Sequence, residues 1–138
     1  MKDISAILIV EDNPTDVMLV KYAFKRANFN GLLKEVGTAD RAYKWLVQRL
    51  DRGEGLPELV LLDLGLPDET GMEMLAKLKG TPQLAEMRVV VFSGSQRPAD
   101  MAQARDLGAD WYFVKQANPR DLDFIVAELK RLCSDAPH

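Results

Sequence analysis

The sequence predicts a doubly wound α/β domain built on a five-stranded parallel sheet. Five apolar runs alternate with five helical patterns along 138 residues, which is the length of one ordinary domain. The strongest runs are continuously apolar, as expected of strands that helices cover on both faces. Right-handed crossovers distribute the helices over both faces of the sheet. The common strand order for such a domain is 2-1-3-4-5, with the binding site beyond the carboxyl ends of the strands.

The first four predicted strands are short segments rich in Val, Ile and Leu, and the fifth is rich in aromatic residues. In chain order they are Ile4–Val10, Leu32–Val36, Leu59–Leu62, Val89–Phe92 and Trp111–Val114.

Each predicted strand is followed by a predicted helix. Asn-Pro pairs, which favour a helix start, open the first and the last helix. The predicted helices start at Asn13-Pro14, cover Asp40–Arg49, run from Gly71 to Leu78, cover Ala99–Leu107, and run from Asn118-Pro119 to Leu132.

Composition excludes several classes of protein. The hydrophobic share of 47% and the charged share of 28% are typical of a globular domain. A net charge of -3 with dispersed Lys and Arg disfavours a nucleic-acid partner. No apolar run approaches the ~20 residues of a membrane span, and the N-terminus does not resemble a signal peptide. We therefore expect a cytoplasmic domain over residues 1–138, with its core at about 4–132 and no membrane partner.

The single cysteine and the single histidine limit the chemistry. Cys133 cannot form an internal disulfide, and His138 is the last residue, so a histidine-based metal site or catalytic triad is not expected.

Polar residues follow the predicted strands and should converge, because parallel strands end at one edge of the sheet. They are Glu11 and Asp12 after the first strand, Asp63 after the third, Ser93 and Gly94 at the fourth, and Lys115 after the fifth.

These side chains suit phosphoryl transfer to a carboxylate. Neighbouring carboxylates repel one another, and a divalent cation would relieve that repulsion. Ligands that are all oxygens indicate Mg²⁺, with Mn²⁺ or Ca²⁺ as substitutes. Lys115 supplies a positive charge, and Ser93 can donate a hydrogen bond to an anionic oxygen. Taken singly, each residue also has a structural explanation, as a helix-start acid, a turn residue or a surface lysine.

The motifs ILIVEDNPTD, LVLLDLGLPDETGMEML, VVVFSGS and LGADWYFVKQANPRDL resemble those of the receiver domains of two-component response regulators. The resemblance runs from about Ile4 to Leu132 and is closest to the stand-alone type. It implies a flavodoxin-like (βα)5 fold. It also implies that Asp63 accepts a phosphoryl group from a histidine kinase. Glu11, Asp12 and Asp63 would hold Mg²⁺ together with the backbone carbonyl of Gly65.

The same resemblance assigns the remaining roles. Ser93, Gly94 and Lys115 would contact the phosphoryl group, and Ser93 would also act as the switch hydroxyl. Tyr112 would be the aromatic switch residue. The chain would catalyse only its own phosphotransfer and autodephosphorylation, which is not enzyme activity on a separate substrate.

Three features depart from the family pattern. Lys115-Gln116 stands where Lys-Pro is usual, and Ala39-Asp40-Arg41 lacks the Gly common before the second helix. No output domain follows the fifth helix, so we expect action by docking unless the chain is part of a longer protein. The expected surface is formed by the fourth helix, fifth strand and fifth helix. It would carry Met101, Trp111 and Leu122 and would bind a kinase, a phosphotransfer protein, a downstream partner or a second copy in a homodimer.

Other functions remain as alternatives. A haloacid dehalogenase phosphatase would need a second acid where Gly65 stands. A flavodoxin would need a phosphate loop where Glu11 and Asp12 would repel phosphate. A degenerate receiver that serves as a scaffold, or a phosphate sink in a relay, also fits the sequence.

Overall fold

The structure is a computed structural model that describes residues 6–115 and 119–134, with the side chains of residues 119–121 and 132–134 outside the description. Five strands alternate with five helices in it, as predicted. They are β1 (Ala6–Val10), α1 (Pro14–Arg26), β2 (Leu32–Val36), α2 (Ala39–Asp51), β3 (Leu59–Leu62), α3 (Gly71–Gly80), β4 (Arg88–Ser93), α4 (Pro98–Asp106), β5 (Trp111–Val114) and α5 (Pro119–Ser134).

All five strands are parallel and follow the order β2-β1-β3-β4-β5, so the predicted topology is confirmed. No helix in the described ranges is both long enough and apolar enough to pass through a bilayer. Ile4, the Lys115-Gln116 peptide and the Asn118 cap fall at least partly outside the described residues.

The start of α1 agrees with the prediction, because its capping residue was identified from the sequence, whereas the start of α2 differs by one residue. The side chain of Asn13 accepts hydrogen bonds from the backbone N–H groups of Thr15 (2.9 Å) and Asp16 (3.2 Å), so it caps α1 as expected. Helix α2 begins one residue earlier than predicted. Thr38 is its cap, and the Asp68 carboxylate accepts the N–H groups of both Ala39 (3.0 Å) and Asp40 (2.9 Å). This tertiary contact ties the segment after β3 to the start of α2.

Two apolar cores fill the two sides of the sheet. Helices α1 and α5 cover one side, and α2, α3 and α4 cover the other. Residues of β1 alternate between the two, since Ile7 and Ile9 join the first core while Leu8 and Val10 join the second. Burial on both faces explains why the strand sequence is continuously apolar.

Leu122 was predicted to lie on the docking surface, and that prediction is wrong. It is only 7% exposed and packs in the core beneath α5 with Ile125, Val126 and Leu129. Helical spacing places these four residues on one face of α5, which the sheet covers. Trp111 is 46% exposed, as expected for a surface residue, and Met101 is half-buried.

The strand ladder continues into the polar residues at the carboxyl edge. The N–H of Glu11 donates to the carbonyl of Val36 (3.0 Å) and that of Asp63 to the carbonyl of Val10 (3.0 Å). The N–H of Lys115 likewise donates to the carbonyl of Ser93 (2.7 Å). These hydrogen bonds involve the carboxyl ends of all five strands through the backbone alone and so fix the backbone positions of the polar residues.

Gly71 is required by the close approach of α3 to the segment after β3. Its N–H donates to the carbonyl of Leu64 at 2.9 Å. A Cβ atom at this position would lie 2.6 Å from the Cα of Leu64 and would also meet the backbone of Asp63. The absence of a side chain at Gly71 therefore lets α3 support the chain around Asp63.

We expect Gly71→Ala to lower the free energy of unfolding by about 1–3 kcal/mol, because overpacking against rigid backbone has few ways to relax. Urea denaturation measures the change. Gly80→Ala is the matched control, since a Cβ there meets nothing within 4 Å and should stabilise the helix by about 0.4–1 kcal/mol. Equal effects of the two substitutions would contradict the packing argument.

Candidate functional site

Three carboxylates meet at the carboxyl edge of β1 and β3. Glu11 (6% exposed) and Asp63 (8% exposed) are buried, whereas Asp12 is open to solvent. One ligand oxygen from each of the three lies within 4.8 Å of the others. The sequence prediction that these residues converge is therefore correct.

The electrostatics of this cluster favour a cation. Burial and the nearby charge of Asp63 together raise the pKa of Glu11 to about 7, against the opposing contacts of Lys115 and Asn13. Removal from water is the largest of these effects, so the negative charge of Glu11 is costly at this edge. A divalent cation bound by oxygen ligands would supply the missing charge.

The residues present fit a hard divalent ion. Glu11, Asp12 and Asp63 each offer a carboxylate oxygen, and these oxygens lie close enough together to bind one ion. The backbone of Gly65 lies beside them, since a Cβ on this residue would be 3.7 Å from Oδ2 of Asp63. The role of the Gly65 carbonyl as a ligand stays a prediction.

Lys115 is the cation of the site, and three carboxylates share it. Its Nζ lies 2.5 Å from Oε1 of Glu11, 2.8 Å from Oδ2 of Asp16 and 3.4 Å from Oδ1 of Asp63. Burial disfavours its charge, but the hydrogen bonds to Asp16 and Glu11 and the charge of Asp63 outweigh burial and raise its pKa above the ordinary value. The ammonium also lies 5.8 Å from the centre of the Phe92 ring.

Asp16 was not predicted to belong to the site. In sequence it resembles an ordinary acidic residue in the first turn of a helix, where the helix dipole favours it. Only the packing of α1 against the sheet shows that its carboxylate faces the end of β5. No local sequence signal could have revealed that contact.

Ser93 and Gly94 lie where β4 leads into α4. Ser93 is buried, and its Oγ accepts a hydrogen bond from the N–H of Ser95 at 3.1 Å. Within the described part of the chain its hydroxyl proton has no acceptor, so it can be donated to an anionic oxygen. Gly94 is exposed, with open space where a side chain would lie.

Tyr112 is tied to the same loop. Its half-buried side chain packs with the core on the side of α2, α3 and α4, and its hydroxyl donates to the carbonyl of Ser95 at 2.9 Å. The Oγ of Ser95 donates to Oδ2 of Asp100, in the first turn of α4, at 2.5 Å. Ser95 therefore connects Ser93, Tyr112 and α4, a role that the sequence did not indicate.

A cavity of about 590 Å³ lies beside the carboxylates, between α1 and α2. Glu11 and Asp12 line one end of it, and Met18, Lys21 and Arg41 line other parts. Two of the carboxylates that could hold a metal ion therefore adjoin an accessible cleft.

Curated proteins and solved structures resemble this chain over most of their length. The probable methanogenesis regulatory protein FilR2 of Methanothrix harundinacea is 35% identical over 90% of this chain and 80% of its own. The response regulator Rcp1 of Synechocystis is 33% identical over 84% of this chain and 80% of its own. The structure of the phosphorylated cyanobacterial phytochrome response regulator RcpA is 31% identical, with a TM-score of 0.83 over 97% of this chain and 96% of RcpA.

The structure of the Mn²⁺-bound form of Rcp1 superimposes with a TM-score of 0.81 at 29% identity, over 97% of each chain. The family model described as the response regulator receiver domain matches residues 7–127, which include every predicted site residue. The chain therefore belongs to the response regulator receiver domain family of two-component signalling.

Proposed function

We propose that this receiver domain accepts a phosphoryl group on Asp63 from the phosphohistidine of a histidine kinase or of a phosphotransfer protein. The observation that carries the proposal is the arrangement around Asp63. A buried carboxylate stands at a sheet edge between two further carboxylates and a lysine whose ammonium is 3.4 Å away. Charged residues with a purely structural role are rarely gathered in this way, with several carboxylates and one lysine around a buried carboxylate.

In the proposed step an oxygen of Asp63 attacks phosphorus in line with the donor imidazole. A P–O bond to Asp63 forms, the P–N bond of the donor breaks, and the imidazole nitrogen keeps the electron pair of that bond. Glu11, Asp12, Asp63 and the carbonyl of Gly65 would hold Mg²⁺, for which Mn²⁺ is the expected substitute. The bound ion would neutralise charge on the phosphoryl oxygens.

Lys115 and Ser93 have separate tasks in this mechanism. Lys115 lies close enough to Asp63 to pair with a phosphoryl oxygen after a small movement of its flexible side chain. Ser93 can donate its free hydroxyl proton to another of these oxygens. Gly94 leaves open space beside them. The residues thus bind and orient the group, and the chain acts on itself alone rather than as an enzyme on other substrates.

The proposed output is a change on the face made by α4, β5 and α5. The new phosphoryl charge would draw Ser93 away from the N–H of Ser95, whose carbonyl is bound by Tyr112. Trp111 and Phe124 (65% exposed) are large apolar side chains open to solvent on β5 and α5. We propose that they bind a second copy of the chain or a downstream partner in the cytoplasm.

We expect acetyl phosphate with Mg²⁺ to add one phosphoryl group to the protein and none to Asp63→Asn, which keeps the side-chain shape but removes the nucleophile. Intact mass measures the addition, and borohydride reduction followed by peptide mapping locates it. Asp106→Asn, on the exposed end of α4, is the charge-matched control and should react like the native chain. A phosphoryl group that persists in Asp63→Asn would place the chemistry elsewhere, and none in the native chain would favour a scaffold.

We expect saturable Mg²⁺ binding, which Asp12→Asn should weaken by about tenfold or more because it removes a direct ligand. Isothermal titration calorimetry measures the affinity. Asp106→Asn again controls for the change in net charge. If Asp12→Asn and Asp106→Asn bind Mg²⁺ equally, Asp12 is not a ligand.

We expect beryllofluoride, a mimic of the phosphoryl group, to change assembly or amide exchange on the α4, β5 and α5 face. Trp111→Ala should remove the change in assembly, since it deletes a large exposed side chain of β5 from that face. Light scattering measures assembly. Tyr22→Ala on α1 is the matched control, because its ring is also exposed but belongs to a different face. Changes confined to the loops around Asp63 would instead support a phosphate sink.

A further inference from the structure

Asp16 holds Lys115 from the side of α1. Its Oδ2 accepts a hydrogen bond from Nζ of Lys115 at 2.8 Å, a distance between the 2.5 Å from Nζ to Glu11 and the 3.4 Å from Nζ to Asp63. The backbone of Asp16 is held by its own N–H, which donates to the side chain of Asn13 at 3.2 Å. At the far end of α1, a separate ion pair joins Arg26 to Asp123 of α5 at 2.7 Å.

The ammonium of Lys115 has three N–H donors, and the three carboxylates already surround them. A cation bound to Glu11 and Asp63 would compete with Lys115 for two of those carboxylates. Asp16 lies outside the carboxylate cluster that fits a cation, so it remains as a partner for the displaced lysine. A phosphoryl group on Asp63 would compete with Asp16 for the same ammonium.

We propose that Asp16 is a positioning residue. Its carboxylate on α1 competes with Asp63 for the Lys115 ammonium and so controls how strongly that ammonium pairs with Asp63. In the free chain it offers the ammonium a partner outside the carboxylates that fit a cation, so that Lys115 can release Glu11 and Asp63 when a cation binds. After phosphorylation it opposes the movement of Lys115 onto the phosphoryl oxygens. This second effect rests on the proposed function, whereas the first does not.

The first test is a double-mutant cycle on Mg²⁺ affinity with Asp16→Asn, Lys115→Met and the double variant, measured by calorimetry. Without Asp16, the ammonium of Lys115 has no partner outside the carboxylates that fit a cation, so it competes with the cation for Glu11 and Asp63. We therefore expect Asp16→Asn to weaken Mg²⁺ binding about two- to fivefold more when Lys115 is present than in the Lys115→Met background, which is the range that solvent-exposed ion pairs give. Additive effects of the two substitutions would overturn the proposal.

The second test measures beryllofluoride affinity in saturating Mg²⁺. Asp16→Asn should bind the mimic about two- to fivefold more tightly than the native chain, because Lys115 no longer has to leave a carboxylate. Asp123→Asn is the matched control, since it removes the carboxylate of a 2.7 Å ion pair between α1 and α5 that makes no contact with the site. Unchanged or weaker binding by Asp16→Asn, or an equal gain in Asp123→Asn, would overturn the proposal.

The two tests separate this inference from the proposed function. If the native chain binds Mg²⁺ but no beryllofluoride, the proposed function fails while the Mg²⁺ cycle still decides the role of Asp16. If the native chain binds both and Asp16→Asn behaves like Asp123→Asn, the proposed function stands and the inference fails. Thermal denaturation confirms that each variant is folded before it is measured.

Discussion

The structure depends on keeping several like charges together at the edge of an apolar sheet. Glu11 and Asp63 are buried, and each offers an oxygen within 4.8 Å of one from Asp12, so their like charges repel unless a cation offsets them. Lys115 is the nearest such cation. Two cores, one on each face of the sheet, and a hydrogen-bond ladder that continues into the polar residues hold the groups in place. One lysine faces several carboxylates, and the negative charge left over is what a bound cation would neutralise.

Much of this arrangement could be predicted because, in a parallel sheet, residues that directly follow different strands lie at the same edge even when they are far apart in sequence. Once Leu59–Leu62 and Val89–Phe92 are recognised as buried strands, the residue after each one must lie at the same edge. The predicted topology and the convergence of Glu11, Asp12 and Asp63 are accordingly confirmed. The roles of these residues in phosphoryl transfer remain predictions, since convergence shows what the side chains can do and not what reacts with them.

The rest depended on tertiary contacts that leave no local pattern. Asp16 became part of the site because α1 packs close to the end of β5, and its position in a first helical turn is equally typical of a solvated acid. The error at Leu122 was of another kind. The spacing of Leu122 from the apolar residues later in α5 indicated the buried face, and Phe124 falls outside that spacing and is exposed. Helical periodicity, applied to α5 alone, would have assigned both residues correctly.

Two separate sets of contacts lie at the carboxyl edge of the sheet, one at Asp63 and one at the end of the neighbouring strand β4, and they lead to different parts of the molecule. On one side Lys115 links Asp63 to Asp16 and so to α1. On the other, Ser93 is bound by Ser95, whose backbone and side chain connect to β5 and to the first turn of α4. These last contacts are few and are made by single hydroxyl groups, so losing one of them costs little compared with disrupting either core. The loop before α4 could therefore rearrange while the sheet stays intact, which is the property that a reversible switch requires.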